Sequence, residues 1–348
     1  MIRMRQVPLL VLAMSACTSS ETITSPEMSV PVAREARVVS TVNYSGVDLG
    51  TLPGDEESIA WSVNDAGTVA VQSTDLPSTG GRVGRWYVQT GTVRTMLNAA
   101  IRALSGGYVV GYTDGSGQRW TYSVAGGFSA AAALAVSPRN VNDLGDAVGE
   151  TADGAGIVQL DGTVITVPNP DPSLYAFTEA RDINNPGDIV ISYLDSYSPT
   201  PDRGYLRMAD GTMIEFNPLA GHNSTYVRGV SQRIDGKIYV AGMSDDDNGK
   251  YNAVRWTVDV ATHAITATEV GSAGTYSVAM TDDGTVVGVI AGSNTSAFVW
   301  KRGGSITSLK TPKGLSSGRP WGVSGNGKYI AGDGVKGSYH HAILWTAQ

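Results

Sequence analysis

The chain has 348 residues, of which only 16% are charged, with 43 glycines and a formal net charge of −7. An acidic domain of this kind is a poor nucleic-acid binder, because that association is driven by cations meeting phosphates. Few charges and many glycines suit short strands joined by tight turns better than long helices. Cys17 is the only cysteine, so disulfides cannot support the fold and stability must come from burial.

At the N-terminus, Arg3 and Arg5 precede an apolar run from Val7 to Met14 that is too short to span a bilayer as a helix. Met14-Ser15-Ala16-Cys17 resembles the lipobox of bacterial lipoproteins, with Met where such signals usually carry Leu. The resemblance implies that residues 1–16 are a cleaved signal peptide and that Cys17 carries acyl chains anchoring the protein in a membrane. Thr18 follows the cysteine where an acidic residue would favour the inner membrane, which implies the outer one. Loss of the two arginines takes the formal charge from −7 to −9, since residues 1–16 hold no Asp or Glu. Residues 17–36, rich in Ser, Thr, Pro and Glu, lack an apolar period and read as a flexible tether.

Residues 37–348 are organised by self-similarity. Val63-Asn64-Asp65-Ala66-Gly67-Thr68-Val69 is the first of seven related turns, and the aligned glycines are Gly67, Gly107, Gly145, Gly187, Gly236, Gly284 and Gly327. Their separations are 40, 38, 42, 49, 48 and 43 residues, the period of propeller blades. In each copy Asn or Asp bonds its own backbone, Gly accepts a positive φ and β-branched residues resume, which makes a tight hairpin. A second hairpin follows in each copy, at turns such as Asp161-Gly162-Thr163 and Asp210-Gly211-Thr212. Two hairpins per copy predict four-stranded antiparallel blades and an all-β, seven-bladed propeller.

An aromatic residue precedes the second hairpin in six copies: Trp86, Trp120, Tyr205, Trp256, Trp300 and Trp345. Their recurrence at one repeat position marks them as packing between blades. Ser296-Ala297-Phe298-Val299-Trp300 and His341-Ala342-Ile343-Leu344-Trp345, with Asp48-Leu49-Gly50-Thr51-Leu52, resemble the HAF-repeat family of extracellular repeats. The resemblance covers roughly residues 45–348 and implies architecture far more than activity. The seventh copy lacks a fourth strand, while residues 38–49 form a strand with no partner of their own. Val47-Asp48-Leu49 aligns with the fourth strand of the sixth copy at Ile306-Thr307-Ser308-Leu309, so the N-terminal strand is expected to complete the last blade and close the ring.

Six residues before each aligned glycine stand Trp61, Ile101, Arg139, Arg181, Val230, Val278 and Trp321, at the start of the strand nearest the ring axis. Trp61 and Trp321 would then be neighbours across the closure, facing Arg139 and Arg181. Aromatic faces opposite guanidinium groups suit a sugar or an anionic ligand. Other motifs carry less. Gly314-Leu315-Ser316-Ser317-Gly318 has the spacing of a hydrolase nucleophile elbow but no strand-to-helix setting. Ser244-Asp245-Asp246-Asp247-Asn248-Gly249 has Arg255 where a calcium loop needs Glu. His222, His263, His340 and His341 show no metal-ligand spacing, and nothing calls for a cofactor. These residues point to a lipid-anchored envelope protein that binds a glycan, peptide or protein partner on one face. The alternative, a propeller glycosidase or lyase, requires a converging carboxylate pair that the sequence does not display.

Overall fold

Each of the seven repeats forms one antiparallel sheet whose strands follow chain order from the ring axis outward, except that the outermost strand of the seventh comes from the N-terminal end of the described chain. The computed structural model describes residues 43–75, 83–173, 175, 177–194, 201–246, 248–292 and 295–348. The signal segment, Cys17, the tether and residues 38–42 of the expected closing strand lie outside the described residues. The inner strands are Glu57–Val63, Ala100–Ser105, Ser137–Val141, Phe177–Ile183, Ser224–Val230, Thr275–Met280 and Arg319–Val323. In blade two the outer edge is split between Gly127–Phe128 and Ala132–Ala133, both paired with Ser116–Ser123.

The core is divided into seven apolar clusters, each spanning the seam between two consecutive blades. Val190 and Leu206 of blade four, for example, meet Val227, Val240 and Trp256 of blade five. Trp120, Trp256, Trp300 and Trp345 share one register, opposite Val109, Val240, Val286 and Ile330, and all four are buried. Trp86 and Tyr205 do not share it. They pair with Gln72 and Ile191, and the equivalent register position belongs to Gln89 and Arg207. The aromatic series expected from six copies therefore holds in four.

The N-terminal strand Tyr44–Asp48 closes the ring by pairing antiparallel with Tyr339–Ala347, from Tyr44 opposite Ala347 to Asp48 opposite Ile343. Gly46 faces Trp345 as Ile306 faces Trp300, so the closing strand takes the place of a fourth strand, as expected. A side chain at Gly46 would come within 2.9 Å of the Trp345 ring, so the closing strand can approach only as glycine there. Asp48 then meets the His341 ring at 3.1 Å and Lys336 at 3.4 Å, and the Tyr44 hydroxyl donates to Gly327 O at 2.7 Å.

The hairpin turns link blades as well as strands. Asn64, Asn142 and Asn184 accept backbone N–H groups within their own turns and donate through Nδ2 to the carbonyls of Gly106, Asn184 and Ser231 in the next blade. The chain of contacts passes from Gln232 to Asp282, from Asp282 N to Gly325 O and from Asn326 N to Asp65, crossing the closure.

Every inner strand carries one extra residue relative to its neighbour. The register shifts fall at Trp61, Arg102, Arg139, Arg181, Arg228, Val278 and Trp321. Such a β-bulge takes one residue out of the ladder and re-aims its side chain. Gly111, Gly149, Gly242, Gly288 and Gly332 lie opposite these bulges, where a Cβ would stand 1.9–2.4 Å from an inner-strand carbonyl oxygen. Blades one and four place Ala60 and Ala180 on the inner strand and Val71 and Ile191 across from them, so the small residue changes sides.

Two outcomes follow from this architecture. A chain starting at Ser58 should melt at a lower temperature and less cooperatively than one starting at Glu35, because it loses the closing strand; equal melting curves would refute closure as a source of stability. Gly149→Val should destabilise the protein by about 2 kcal/mol, the scale of forcing extra atoms into packed structure, read as a lower denaturant midpoint. An unchanged midpoint would show that the bulge tolerates a side chain opposite it.

Candidate functional site

The seven bulge residues all line one cavity of about 290 Å³, which runs along the inner strands toward their hairpin turns. The structure thus brings Trp61, Trp321, Arg139 and Arg181 together. It also corrects the expected ring: the positions given to Ile101 and Val230 belong to Arg102 and Arg228. Ile101 and Val230 are buried between blades instead. Four consecutive blades, two to five, therefore contribute an arginine each. Val278 and the two tryptophans complete the ring.

Trp61 and Trp321 meet across the closure with ring centroids 5.0 Å apart and a 41° tilt. Their indole N–H groups are held, Trp61 by Gln72 Oε1 at 3.2 Å and Trp321 by Asp333, whose other carboxylate oxygen contacts His340 at 2.6 Å. The Arg319 guanidinium lies over the Trp321 ring at 5.3 Å.

On the opposite side, Arg139 reaches Glu150 at 2.7 Å and Glu179 at 3.6 Å. Burial opposes the charge on Arg139, but Glu150, with Glu179 and Tyr112 adding to it, outweighs burial and raises the guanidinium pKa. Arg181 contacts Glu179, and the Tyr226 hydroxyl donates to the same carboxylate at 2.8 Å. Even so, burial first, then repulsion from Arg228 and Arg139, pushes Arg181 down to about 9. The Tyr226 ring lies 5.0 Å from the Arg181 guanidinium and 4.9 Å from that of Arg228. Arg228 has no carboxylate partner among the described residues, and burial lowers its pKa. The buried Nε atoms of Arg181 and Arg228 make no hydrogen bond. Arg102 is exposed, 5.3 Å over the Tyr112 ring, with no ion pair among the described residues.

Glu150 and Glu179 are a converging carboxylate pair, assembled from neighbouring blades through Arg139. Burial pushes the Glu179 carboxyl up, and Arg139 opposes that. Beyond the arginine level, Asp182 accepts from Asn140 Nδ2 at 2.6 Å, Ile183 N at 2.9 Å and Val230 N at 2.8 Å; burial still pushes it up to about 7.

The remaining motifs fall elsewhere. Ser316 is exposed in a loop, and its hydroxyl donates to Val335 O at 3.3 Å. Asp246 caps its own turn by accepting from Asn248 N and Lys250 N, while Asp247 lies outside the described residues. His341 serves the closure beside Asp48. No group of three or more His, Cys, Asp or Glu among the described residues is placed to hold a metal.

No protein-family model matches the chain, and no curated protein does. Solved structures do resemble it. Puromycin hydrolase superposes with a TM-score of 0.56 at 13% identity, covering 92% of this chain and 56% of that one. Oligogalacturonate lyase in complex with manganese gives 0.51 at 11% identity, covering 90% and 98%. The extracellular domain of a one-component system from B. thetaiotaomicron gives 0.50 at 9% identity, covering 86% and 39%. The chain spans about half the length of the hydrolase, at 56%. At these identities the likeness establishes the seven-bladed propeller alone.

Proposed function

We propose that the protein is a binding protein of the cell envelope that takes a small anionic ligand, a carboxylate or phosphate group, on the arginines of its central cavity. The observation that carries this reading is the convergence of Arg102, Arg139, Arg181 and Arg228 on one cavity of an acidic chain. Two carboxylates, Glu150 and Glu179, serve that set of four; Arg102 and Arg228 make no direct ion pair among the described residues, and Glu179 acts on Arg228 only at longer range. An anion beside Arg181 and Arg228 would relieve the repulsion that Arg228 and Arg139 exert on Arg181 and use the unpaired Nε donors of Arg181 and Arg228, since guanidinium groups pair well with carboxylate and phosphate. Trp61 and Trp321 supply an apolar wall opposite, suited to a sugar face or an apolar side chain.

The setting is the one implied by the sequence. Cleavage after Ala16, acylation of Cys17 and the tether to residue 36 would suspend a HAF-type propeller from the outer membrane. A catalytic reading, as a glycosidase or lyase, has one observation in its favour, the Glu150 and Glu179 pair with Glu179 raised by burial. Both carboxylates, however, are engaged by arginines.

Binding is tested on an array of glycans and peptidoglycan fragments with the soluble domain. Arg139→Ala with Arg181→Ala should weaken retention at least tenfold, about 1.4 kcal/mol, with a melting curve verifying that the variant stays folded after losing its ion pairs to Glu150 and Glu179. Retention equal to wild type would move the site away from these arginines, and conversion of bound oligosaccharides to shorter products would favour the enzyme. Mass spectrometry of the mature N-terminus should find acyl chains on Cys17, and Cys17→Ala should shift the protein from the membrane to the soluble fraction. An unmodified N-terminus would remove the anchor.

A further inference from the structure

We propose that the ligand is zwitterionic: a short peptide whose C-terminal carboxylate sits on Arg139, Arg181 and Arg228 and whose ammonium group meets the aspartates deeper in the same cavity. This inference rests on the anion-binding reading above and names the ligand class.

The charged residues lining the cavity are sorted by depth. All four cations, Arg102, Arg139, Arg181 and Arg228, stand at the bulge level. All four anions, Asp65, Asp143, Asp182 and Asp282, stand nearer the hairpin turns. Asp182 is one residue past its bulge, whereas Asp65, Asp143 and Asp282 are four residues past Trp61, Arg139 and Val278. At about 3.3 Å per strand residue the carboxylates begin one step below the guanidinium groups and end roughly 13 Å below them. The charges that line the cavity therefore balance in number and are separated along the axis, with Glu150 and Glu179 contacting the arginines from outside the lining.

That polarity discriminates between ligands. A simple anion satisfies the arginines but leaves the aspartates facing one another, and if it enters from the turn side it must pass them. Burial raises the pKa of Asp282, and Asp65 and Asp143 act on it in the same direction, so Asp282 stands among carboxylates with no cation beside it in the lining. The lining contributes none at that level, since it holds no lysine and its arginines all stand at the bulges. An ammonium group supplies what is missing. An extended tripeptide separates its terminal charges by about 10 Å at 3.3–3.6 Å per residue, within the span from the arginines to the turn carboxylates.

The probes are trialanine, its N-acetyl form, its C-terminal amide and a trimer of galacturonate, titrated calorimetrically against wild type, Arg181→Gln, Asp182→Asn and Asp282→Asn. Melting curves verify that each variant is folded. Trialanine should bind, and either terminal block should weaken it at least tenfold. In at least one aspartate variant the free and N-acetyl peptides should bind alike, while the amide stays weaker than both. N-acetyl-trialanine or the galacturonate trimer binding wild type at least as tightly as trialanine, with Arg181→Gln still weakening it, would overturn the zwitterion and leave the anion site standing. No binding by any probe, or binding indifferent to Arg181→Gln, would overturn both.

Discussion

A propeller blade ends at the ring axis on a bare strand edge. The inner strand's outward side pairs with its neighbour, but its other side faces the channel with unpaired backbone groups, and its side chains alternate between the two faces of the sheet. In regular pleating none of those side chains would point at the axis. The bulge changes this. By taking one residue out of the ladder in every blade, it turns Trp61, four arginines, Val278 and Trp321 toward the cavity. The same kink blunts an edge that would otherwise be open to pairing. Site and edge protection are thus two results of one backbone irregularity, and the glycines across from it in five blades are its local requirement.

Placing three guanidinium groups side by side on a partly buried wall works against folding. Arg181 and Arg228 are held at depressed pKa values by burial, and their Nε atoms lack acceptors. The stabilisation comes from elsewhere: seven apolar seams, tryptophans fully buried at Trp256 and Trp345, and a belt of turn-to-turn hydrogen bonds. A local arrangement that is unfavourable without a ligand, carried by a scaffold that is favourable everywhere around it, is the pattern that binding sites show when function is retained at the expense of stability.

The architecture was legible because its signals are local and repeated. Asn-Asp-x-Gly turns mark the inner hairpins, and the likeness of Val47-Asp48-Leu49 to Ile306–Leu309 points to closure by the N-terminal strand. Half of the arginine ring was not found, for a geometric reason. The copies were aligned on turn glycines, and turn length varies between blades. From Arg139 to the left-handed glycine the chain runs to Gly145, but from Arg102 it runs only to Gly106 and from Arg228 on to Gly236. The alignment therefore slipped onto Ile101 and Val230. A better anchor was present, since each bulge residue is followed two positions later by an aliphatic residue: Val63, Leu104, Val141, Ile183, Val230, Met280 and Val323. These seat in or against the seam clusters, and burial constrains register more strictly than a surface turn does. Trp86 and Tyr205 depart from the series for a similar reason, because an aromatic ring can pack against a seam from more than one register.

Blade seven and blade one, which supply the two tryptophans, are also the blades joined at the ring's seam. Seam and proposed binding wall therefore share residues. The seam is held by main-chain pairing of the N-terminal strand, by Asn326 on Asp65 at the turns and by the contact of the two indole rings. A ligand that touches both rings and reaches the arginines across the cavity adds a fourth tie, present only in the closed ring. Whatever binds the closed form and not an opened one stabilises closure by mass action. The proposed site would then act on the one part of the ring where the chain does not run continuously from blade to blade, and its occupancy would be linked to the integrity of the propeller through Trp61 and Trp321.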